Sequence, residues 1–373
     1  MKTVAIVQRR MTHYRVPLFE LLRTDLSKRG IGLQLLHGEP TVAEMSKGDR
    51  GALDWAERLP TRYFAGGRIL WQPFMDRVHD ADLVVVPQEN KHLHNLPALF
   101  NPWRHQRLAF WGHGRNFQSG SPGSLFERFK RSSICRVDWW FAYTEISAAC
   151  VRAAGYPAGR ITVLNNSIDT SALRHSLAAI PQALRGRNKA RLGLGEGPVG
   201  TFIGSLYPDK RIDFLLDAAE HLRTLLPGFQ LAIAGAGPQV DLVRDAASRH
   251  RHVVYLGPVH GAQKAELLAA SDLILNPGLV GLGILDSFVA GVPMVTTDCG
   301  IHSPEIAYLE SGRNGVMTRD DMEDYVKACQ LILRDERTLA ALQQGAAASA
   351  LNYSIESMSM NFCRGIEMAL AAD

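Results

Sequence analysis

Residues 276–299, NPGLVGLGILDSFVAGVPMVTTDC, place a glycine-rich loop, a short helix and a strand in consecutive order. Gly278, Gly281 and Gly283 allow the backbone to approach a ligand closely. The spacing predicts a helix over 284–290, whose N-terminal amides would face an anion. This order indicates a nucleotide diphosphate site, although loops between strands and helices are also glycine-rich for packing alone.

Asp286 falls in the first turn of that predicted helix. Its carboxylate would reach past the phosphates and accept hydrogen bonds from ribose hydroxyls. The alternative is a favourable charge at a helix N-terminus, which needs no ligand.

Composition indicates an ordinary globular chain with room for two domains, because it has 373 residues of which 46% are hydrophobic. No apolar run approaches the roughly 18–20 residues that span a bilayer, and the N-terminus predicts neither a signal peptide nor an anchor. The five cysteines are scattered without a C-x-x-C pair, so neither a disulfide framework nor a zinc site is predicted. A cytoplasmic location follows as the expectation.

The charge balance, 41 basic against 37 acidic residues, does not call for a nucleic-acid partner. Basic residues nevertheless crowd the first thirty positions and residues 104–136. Within the latter, SLFERFKRSSICRV (residues 124–137) interleaves apolar and basic side chains. It indicates an amphipathic helix on an anionic membrane surface, or alternatively a solvated face packed on the core.

Two sets of alternating short strands and helices predict two doubly wound α/β domains. Between them, residues 171–197 lack a sustained period and carry several glycines, which predicts a linker. We therefore expect an N-terminal domain over 1–170, a nucleotide-binding domain over 198–350, and a closing helix over 351–373 that crosses back to the first domain. Two such domains would face an interdomain cleft, where ligands preferentially bind.

Three further motifs follow predicted strands of the second domain. In GSLYPDKRID (204–213), Lys210 and Arg211 precede a helix and would meet a diphosphate, unless they are ordinary loop charges. AGAGP (234–238) resembles the start of a dinucleotide fingerprint but has no third glycine. In LGPVH (256–260), His260 and nearby backbone would bracket a nucleobase, or form a plain surface turn.

The first domain offers polar loops after its strands. His13 and Arg15 follow the first strand, and His113 lies between two glycines with Arg115 close behind. The loop PQENKHLHN (87–95) contains enough hydrogen-bonding groups to read sugar hydroxyls. A metal site at its two histidines is not expected, because no matching carboxylate pattern accompanies them.

These residues together resemble the GT-B glycosyltransferases of family 4 over essentially the whole chain, most strongly over residues 161–314. The family's PNGVD motif is matched by Asn166 and Asp169. Its GR-x(4)-K diphosphate motif is matched at Gly204 and Lys210, with Ser205 in place of the arginine, so that Arg211 is expected to compensate. The resemblance implies a GT-B architecture.

The family's signature is a pair of glutamates separated by seven residues, the first on the donor sugar and the second on the ribose. Aligned on the G-x-P at 291–293, Asp286 takes the second position and Gly278 takes the first. The missing first carboxylate leaves the donor sugar and the stereochemistry open.

The resemblance implies a retaining, metal-independent transfer from a nucleotide diphosphate sugar, with no separate cofactor. Catalytic roles are expected for His113, Lys210, Arg211 and Asp286. Acceptor binding is expected at His13, Arg15, Glu89, Asn90 and Arg115. Donor binding is expected at Gly204, Ser205, Gly235, Gly237, Val259, His260, Gly278, Gly281, Leu282, Gly283 and Ile284.

The expected acceptor is a glycan or a lipid-linked glycan, with peripheral contact to the inner face of the cytoplasmic membrane and no nucleic-acid partner. Two alternatives remain open. One is a nucleotide-sugar epimerase or hydrolase of the same fold. The other is a non-catalytic nucleotide-sugar-binding protein, which Gly278 at the first motif position favours.

Overall fold

The computed structural model describes residues 1–45, 49–89, 91–114, 135–181 and 185–372. The chain divides into two compact units. The first comprises Met1–Asp169 with Ser354–Asp373, and the second comprises Thr170–Tyr353.

A parallel sheet of seven strands forms the centre of the first unit, in the order β3-β2-β1-β6-β7-β8-β9, and β4 and β5 pair separately as an antiparallel hairpin. The strands are β1 (Lys2–Gln8), β2 (Ile31–His37), β3 (Glu57–Arg58), β4 (Arg62–Phe64), β5 (Ile69–Trp71), β6 (Leu83–Pro87), β7 (Arg107–Gly112), β8 (Trp139–Ala142) and β9 (Ile161–Val163). Among the described residues of 1–169, the helices are α1 (Val16–Lys28), α2 (Val42–Met45), α3 (Asn95–Phe100) and α4 (Glu145–Ala153).

Both faces of this sheet are covered, as its continuous apolar strands require. All five residues of β6 are buried. In β1, Val4 and Ile6 join the apolar cluster on one face, while Ala5 and Val7 join the cluster on the other. Because successive side chains point to opposite faces, β1 contributes to the hydrophobic clusters on both faces of the sheet.

The second unit contains a parallel sheet of six strands in the order β12-β11-β10-β13-β14-β15. Its strands are β10 (Val199–Ile203), β11 (Gln230–Ala234), β12 (Val253–Gly257), β13 (Leu273–Leu275), β14 (Met294–Thr297) and β15 (Gly315–Thr318). The strand order reverses between β10 and β13. In doubly wound folds, ligands bind outside the carboxyl ends of the strands at such a reversal.

Helices cover this second sheet on both faces. They are α5 (Ser171–Ala178), α6 (Arg185–Arg191), α7 (Ile212–Leu225), α8 (Val240–Arg249), α9 (Gly261–Ala270), α10 (Ile284–Ala290), α11 (Met322–Arg334) and α12 (Glu336–Asn352). Leu231 and Ile233 of β11 pack in the cluster that contains α7 and α11, while Ala232 and Ala234 face α9.

Residues 171–197, for which the sequence predicts a linker, instead contain the helices α5 and α6, both packed on α9. The sequence of α6, RGRNKAR, has no apolar period. Polar contacts hold it: Lys189 is buried, and its Nζ donates to Gly197 O (2.8 Å) and lies 3.9 Å from an Asp272 carboxylate oxygen. Hydrophobic periodicity gives no signal for a helix of this kind.

The last helix, α13 (Ile355–Ala371), packs against α1 in the first unit. Ser354 caps it by accepting a hydrogen bond from Ser357 N (3.1 Å). Phe362 stacks on Phe141, with 4.6 Å between ring centroids, and meets the Trp111 ring edge-on at 5.1 Å. The helix therefore packs in the same hydrophobic cluster as Val4 and Ile6 of β1.

Candidate functional site

The strongest candidate site lies where β10 and β13 end, at the reversal of strand order in the second unit. Two loops follow these strands, residues 204–211 and residues 276–283. They are joined directly, because Leu279 N donates to Asp209 O (2.8 Å) and Lys210 Nζ donates to Leu279 O. The lysine is thereby fixed at the carboxyl edge of the sheet.

Gly278 is the contact point of these two loops. A Cβ at this position would lie 2.6 Å from Lys210 C and 2.7 Å from Lys210 Cα, closer than side-chain carbons come in real structures. No side chain fits without moving the opposite loop. The position that counting assigns to the motif's first glutamate is therefore a close-packing position in this chain.

His302 fixes the 276–283 loop from the strand side. Its Nδ1 accepts from Val280 N (3.0 Å), and its Nε2 donates to Thr297 O (2.7 Å). Thr297 Oγ1 in turn donates to Pro277 O (2.7 Å). The sequence analysis missed both residues, although each follows or ends β14 and so lies at the carboxyl edge.

Lys210 is a partly desolvated cation at this edge. Burial lowers the pKa of its amine from 10.5 to about 8, against a smaller opposing effect of Asp209. Its Nζ also lies 5.7 Å from the centre of the Tyr207 ring. A desolvated ammonium gains more from a diphosphate than an exposed one, because screening by water is weaker.

The contacts of Arg211 differ from the diphosphate binding that the sequence predicts for it. Its guanidinium donates to Asp320, to Thr297 Oγ1 (3.1 Å) and to Pro277 O (3.5 Å), and it covers the Phe214 ring at 4.5 Å. The residue is left-handed, with φ 56° and ψ 50°, where it caps α7. Through these contacts Arg211 joins the ends of neighbouring loops, and it does not supply the cation that the motif has at the position of Ser205. The Ser205 side chain is exposed.

Asp286 is mostly buried in the first turn of α10 and pairs with Lys264 of α9, with 2.7 Å between Oδ2 and Nζ. Burial raises the pKa of the Asp286 carboxyl, and the ammonium of Lys264 partly offsets the rise. The sequence analysis missed Lys264. A carboxylate held in this way keeps its remaining lone pairs for a ligand hydroxyl.

The glycines of the predicted donor site differ in what surrounds them. A Cβ at Gly235 would overlap the Gly204 carbonyl, and one at Gly237 would overlap the Leu206 carbonyl, so both bring two loops together. By contrast, a Cβ at Gly283 would meet no described atom within 4 Å. Only Gly281 and Gly283 therefore leave room beside the backbone on the 276–283 loop.

The first hydrogen bonds of α10 are donated by Ile284 to Gly281 O (3.2 Å) and by Leu285 to Leu282 O (3.0 Å). The amides of residues 281–283 thus lie ahead of the helical ladder, where an anion is the natural partner. The Ile284 side chain itself is buried in the core.

Val259 and His260, which follow β12, are the residues predicted to contact the nucleobase. Val259 packs against the apolar cluster under β10 and β11, whereas His260 is exposed at the start of α9. Of these two side chains, His260 is the more exposed to solvent.

In the first unit, Arg15 is a buried structural cation rather than an exposed acceptor-binding group. Its Nη2 donates to Asn166 Oδ1 (2.8 Å), and its guanidinium covers the Trp111 and Tyr143 rings at 5.1 and 5.8 Å. Only 7% of Arg15 is exposed. His13, two residues earlier, is exposed.

Glu89 lies beside two cations, Lys91 at 3.0 Å and Arg9 at 3.8 Å. His92 also lies 3.8 Å away, but burial lowers the pKa of its imidazole to about 4, so that ring is neutral near pH 7. Partial burial would raise the pKa of its carboxyl, but His92, Lys91 and Arg9 outweigh this and hold it below its usual value. His94 packs edge-on against Trp71. The cations around Glu89 therefore favour its ionised form in the loop after β6.

His113 follows β7, and its ring meets the Tyr143 ring edge-on at 4.3 Å between centroids. Asn90, Arg115 and residues 115–134, which hold most of the predicted basic helix, lie outside the described residues.

A family model matches most of the second unit. Residues 197–335 match the family model described as "Glycosyl transferases group 1". The GDP-mannose-dependent alpha-(1-6)-phosphatidylinositol monomannoside mannosyltransferase of Mycolicibacterium smegmatis is 30% identical over 199 residues, 50% of this chain and 50% of that relative. The chain thus aligns with about half the length of this curated relative.

Solved structures match the fold over nearly the whole chain. A glycosyltransferase from Rickettsia africae superposes with a TM-score of 0.72 at 12% identity, covering 100% of this chain and 99% of that one. Anabaena HepE in complex with UDP and glucose gives 0.67 at 16% identity, covering 98% and 100%. These matches confirm the predicted fold of two doubly wound Rossmann-like domains of GT-B type, and residues 197–335 are a glycosyltransferase group 1 domain.

Proposed function

We propose that this chain, with its glycosyltransferase group 1 domain on a GT-B fold, transfers a sugar from a nucleotide diphosphate donor to a glycan or lipid-linked acceptor. The observation that carries the proposal is the loop pair at the β10–β13 reversal, where Lys210 is held against Leu279 O beside the amides of residues 281–283. The match to the family model over residues 197–335 spans both loops.

The donor diphosphate would lie against residues 281–283, with Lys210 as its cation. Backbone amides and an ammonium that are already oriented stabilise the charge that develops on the departing diphosphate, because they need not reorganise during the reaction. Asp286, positioned by Lys264, would accept hydrogen bonds from the ribose hydroxyls. Arg211 has no place in this arrangement, since its guanidinium is engaged by Asp320 and Thr297.

We propose a retaining, metal-independent transfer in which a leaving phosphate oxygen takes the acceptor's proton on the same face of the sugar. The close packing at Gly278 supports a mechanism without a carboxylate nucleophile from that position. The new bond joins the acceptor oxygen to the anomeric carbon as the bond from that carbon to the phosphate oxygen breaks. His113 would hold a donor-sugar hydroxyl, and His13 and Glu89 would line the acceptor side.

The donor proposed is a hexose nucleotide. The mycobacterial relative is named for GDP-mannose and for a phosphatidylinositol mannoside, and HepE is described with UDP and glucose. Both names fit a pocket that binds the diphosphate through backbone and Lys210, since those contacts do not depend on the base.

A lipid-linked acceptor would place the protein on the inner face of the cytoplasmic membrane. No helix of the described ranges has the length and apolarity to cross a bilayer. Flotation with anionic vesicles at low salt tests peripheral binding, because charge attraction is strongest there. Failure to float with the vesicles would contradict the membrane part alone.

The primary test is a thermal-shift screen against nucleoside diphosphates and nucleotide sugars, run on the wild type, Asp286→Ala and Lys210→Ala. We expect stabilisation of the wild type that both variants reduce. Product analysis with and without acceptor then separates transfer from epimerisation or hydrolysis. Binding without turnover on any acceptor would favour the non-catalytic alternative, and no response to any nucleotide would contradict the proposed donor site.

A further inference from the structure

Two histidines and a glutamate meet at the amino-terminal edge of the second sheet, opposite the edge that carries the proposed donor loops. Glu220 comes from α7, His250 directly follows α8, and His252 directly precedes β12. In the described part of the chain, this is the one group of three or more such side chains whose ligand atoms all lie within 4.8 Å of one another.

The distances suit a small divalent cation. His252 Nε2 lies 3.4 Å and His250 Nδ1 lies 3.8 Å from Glu220 Oε2. Ligands bound at about 2.0–2.2 Å in a tetrahedron stand about 3.3–3.6 Å apart. Two imidazoles and one carboxylate, with room for water as a fourth ligand, are a donor set typical of zinc.

The backbone and a neighbouring arginine orient these three groups. His252 O accepts from Leu231 N (2.7 Å), and His250 O accepts from Val253 N (3.0 Å), so the turn between α8 and β12 is fixed. Arg223 donates to Glu220 Oε1 (2.6 Å) and more distantly to Oε2 (3.3 Å). The arginine thereby holds the carboxylate with Oε2 toward the histidines, as an outer-shell partner does in metal sites.

The pocket beside these residues has a volume of about 520 Å³ and is open to solvent. Two further arginines line it, Arg249 and Arg251, and they oppose a cation. Arg249 is engaged by Asp245 on its own helix. The positive charge on that side of the pocket is therefore partly neutralised. The side that is open to solvent would supply the water ligand.

We propose that Glu220, His250 and His252 bind one Zn²⁺ per chain and thereby tie α7 to the turn between α8 and β12. The site lies apart from the loops assigned to the donor, so the zinc acts on stability and not on the transfer. The proposal is independent of the proposed function.

The test is a titration of the full-length, chelator-treated protein with zinc chloride against a chromophoric competitor, together with thermal unfolding. We expect one zinc per chain and a rise in Tm. His250→Ala should weaken zinc binding by more than the roughly 10–100-fold that loss of an outer-shell partner costs. The side chain of His250 is 46% exposed, which makes this variant safe for folding.

His221→Ala is the matched control, since it removes an exposed histidine next to Glu220 on the same helix. It should bind zinc like the wild type. Glu220→Gln serves as a second variant if His250→Ala fails to fold. Wild-type zinc affinity in a folded His250→Ala or Glu220→Gln protein, or no stoichiometric binding by the wild type, overturns the proposal.

Discussion

Gly278 and Gly283 lie on the same loop, but replacing them with alanine should have different effects. Gly278→Ala should reduce stability, whereas Gly283→Ala should reduce nucleotide binding. At Gly278 the new Cβ would be 2.6 Å from Lys210 C and nearer still to Asp209 O, whereas real Cβ atoms keep at least about 3.0 Å. The 204–211 loop would have to retreat by at least 0.4 Å, the difference between those two distances. That movement lengthens the hydrogen bond from Leu279 N to Asp209 O, which now measures 2.8 Å.

The magnitude for Gly278→Ala follows from three effects. Overpacking costs about 1–3 kcal/mol, and the weakened hydrogen bond adds about 0.5–1.5 kcal/mol. Lower entropy of the unfolded chain offsets about 0.4–1 kcal/mol. The net loss of about 0.5–4 kcal/mol in the free energy of unfolding should lower Tm by roughly 1–16 °C for a unit of this size.

Gly283→Ala should leave folding intact. The residue has ordinary helical angles, φ −59° and ψ −17°, and its Cβ would meet no described atom within 4 Å. If a diphosphate lies against this backbone, the methyl group should instead weaken nucleoside diphosphate binding by about tenfold, or about 1.4 kcal/mol. Thermal unfolding and calorimetric titration measure both effects on both variants. An unchanged Tm for Gly278→Ala refutes the packing argument, and wild-type affinity of Gly283→Ala refutes the placement of the diphosphate.

Three other outcomes are expected. Burial lowers the pKa of Lys210 to about 8 in the folded protein, whereas its pKa in the unfolded chain is about 10.5. Between these pH values the unfolded state binds more protons than the folded state, so the lysine's contribution to the free energy of unfolding rises with pH. Nucleoside diphosphate affinity should therefore fall above pH 8 in the wild type but stay level in Lys210→Arg, and parallel profiles would contradict a role for the ammonium. Asp286→Asn should cost about 1–3 kcal/mol of stability, less than a fully buried pair because both side chains keep some exposure. Adding Lys264→Met should recover part of that loss, and strict additivity in the double-mutant cycle would rule out coupling. Arg211→Gly keeps the left-handed backbone but loses the partly exposed ion pair with Asp320, the hydrogen bonds to Thr297 and Pro277 and the packing on Phe214, so stability should fall by about 1–3 kcal/mol. Nucleotide affinity should change by no more than about 1 kcal/mol; a larger drop in affinity would assign Arg211 to diphosphate binding.

Most regular elements of the two sheets could be predicted from the sequence. Strands such as β6 and β10 are short apolar runs bounded by turns, and α7 begins directly after Lys210 and Arg211, where the sequence predicts a helix. The signal is strong because a parallel strand buried on both faces tolerates only apolar residues. It fails for α6, which is held by buried Lys189 and other polar contacts.

The sequence by itself determined which loops follow which strands, and hence that Lys210, Asp286 and the glycines of the 276–283 loop lie at one edge of a sheet. Glycine and strand patterns are local, so one chain suffices to read them. Only the tertiary structure decided which way each side chain points: that Arg211 binds Asp320, that Lys264 pairs with Asp286, and that Gly278 faces another loop. These choices join residues far apart in the chain, and they follow from packing and desolvation in three dimensions, which residue order does not encode locally.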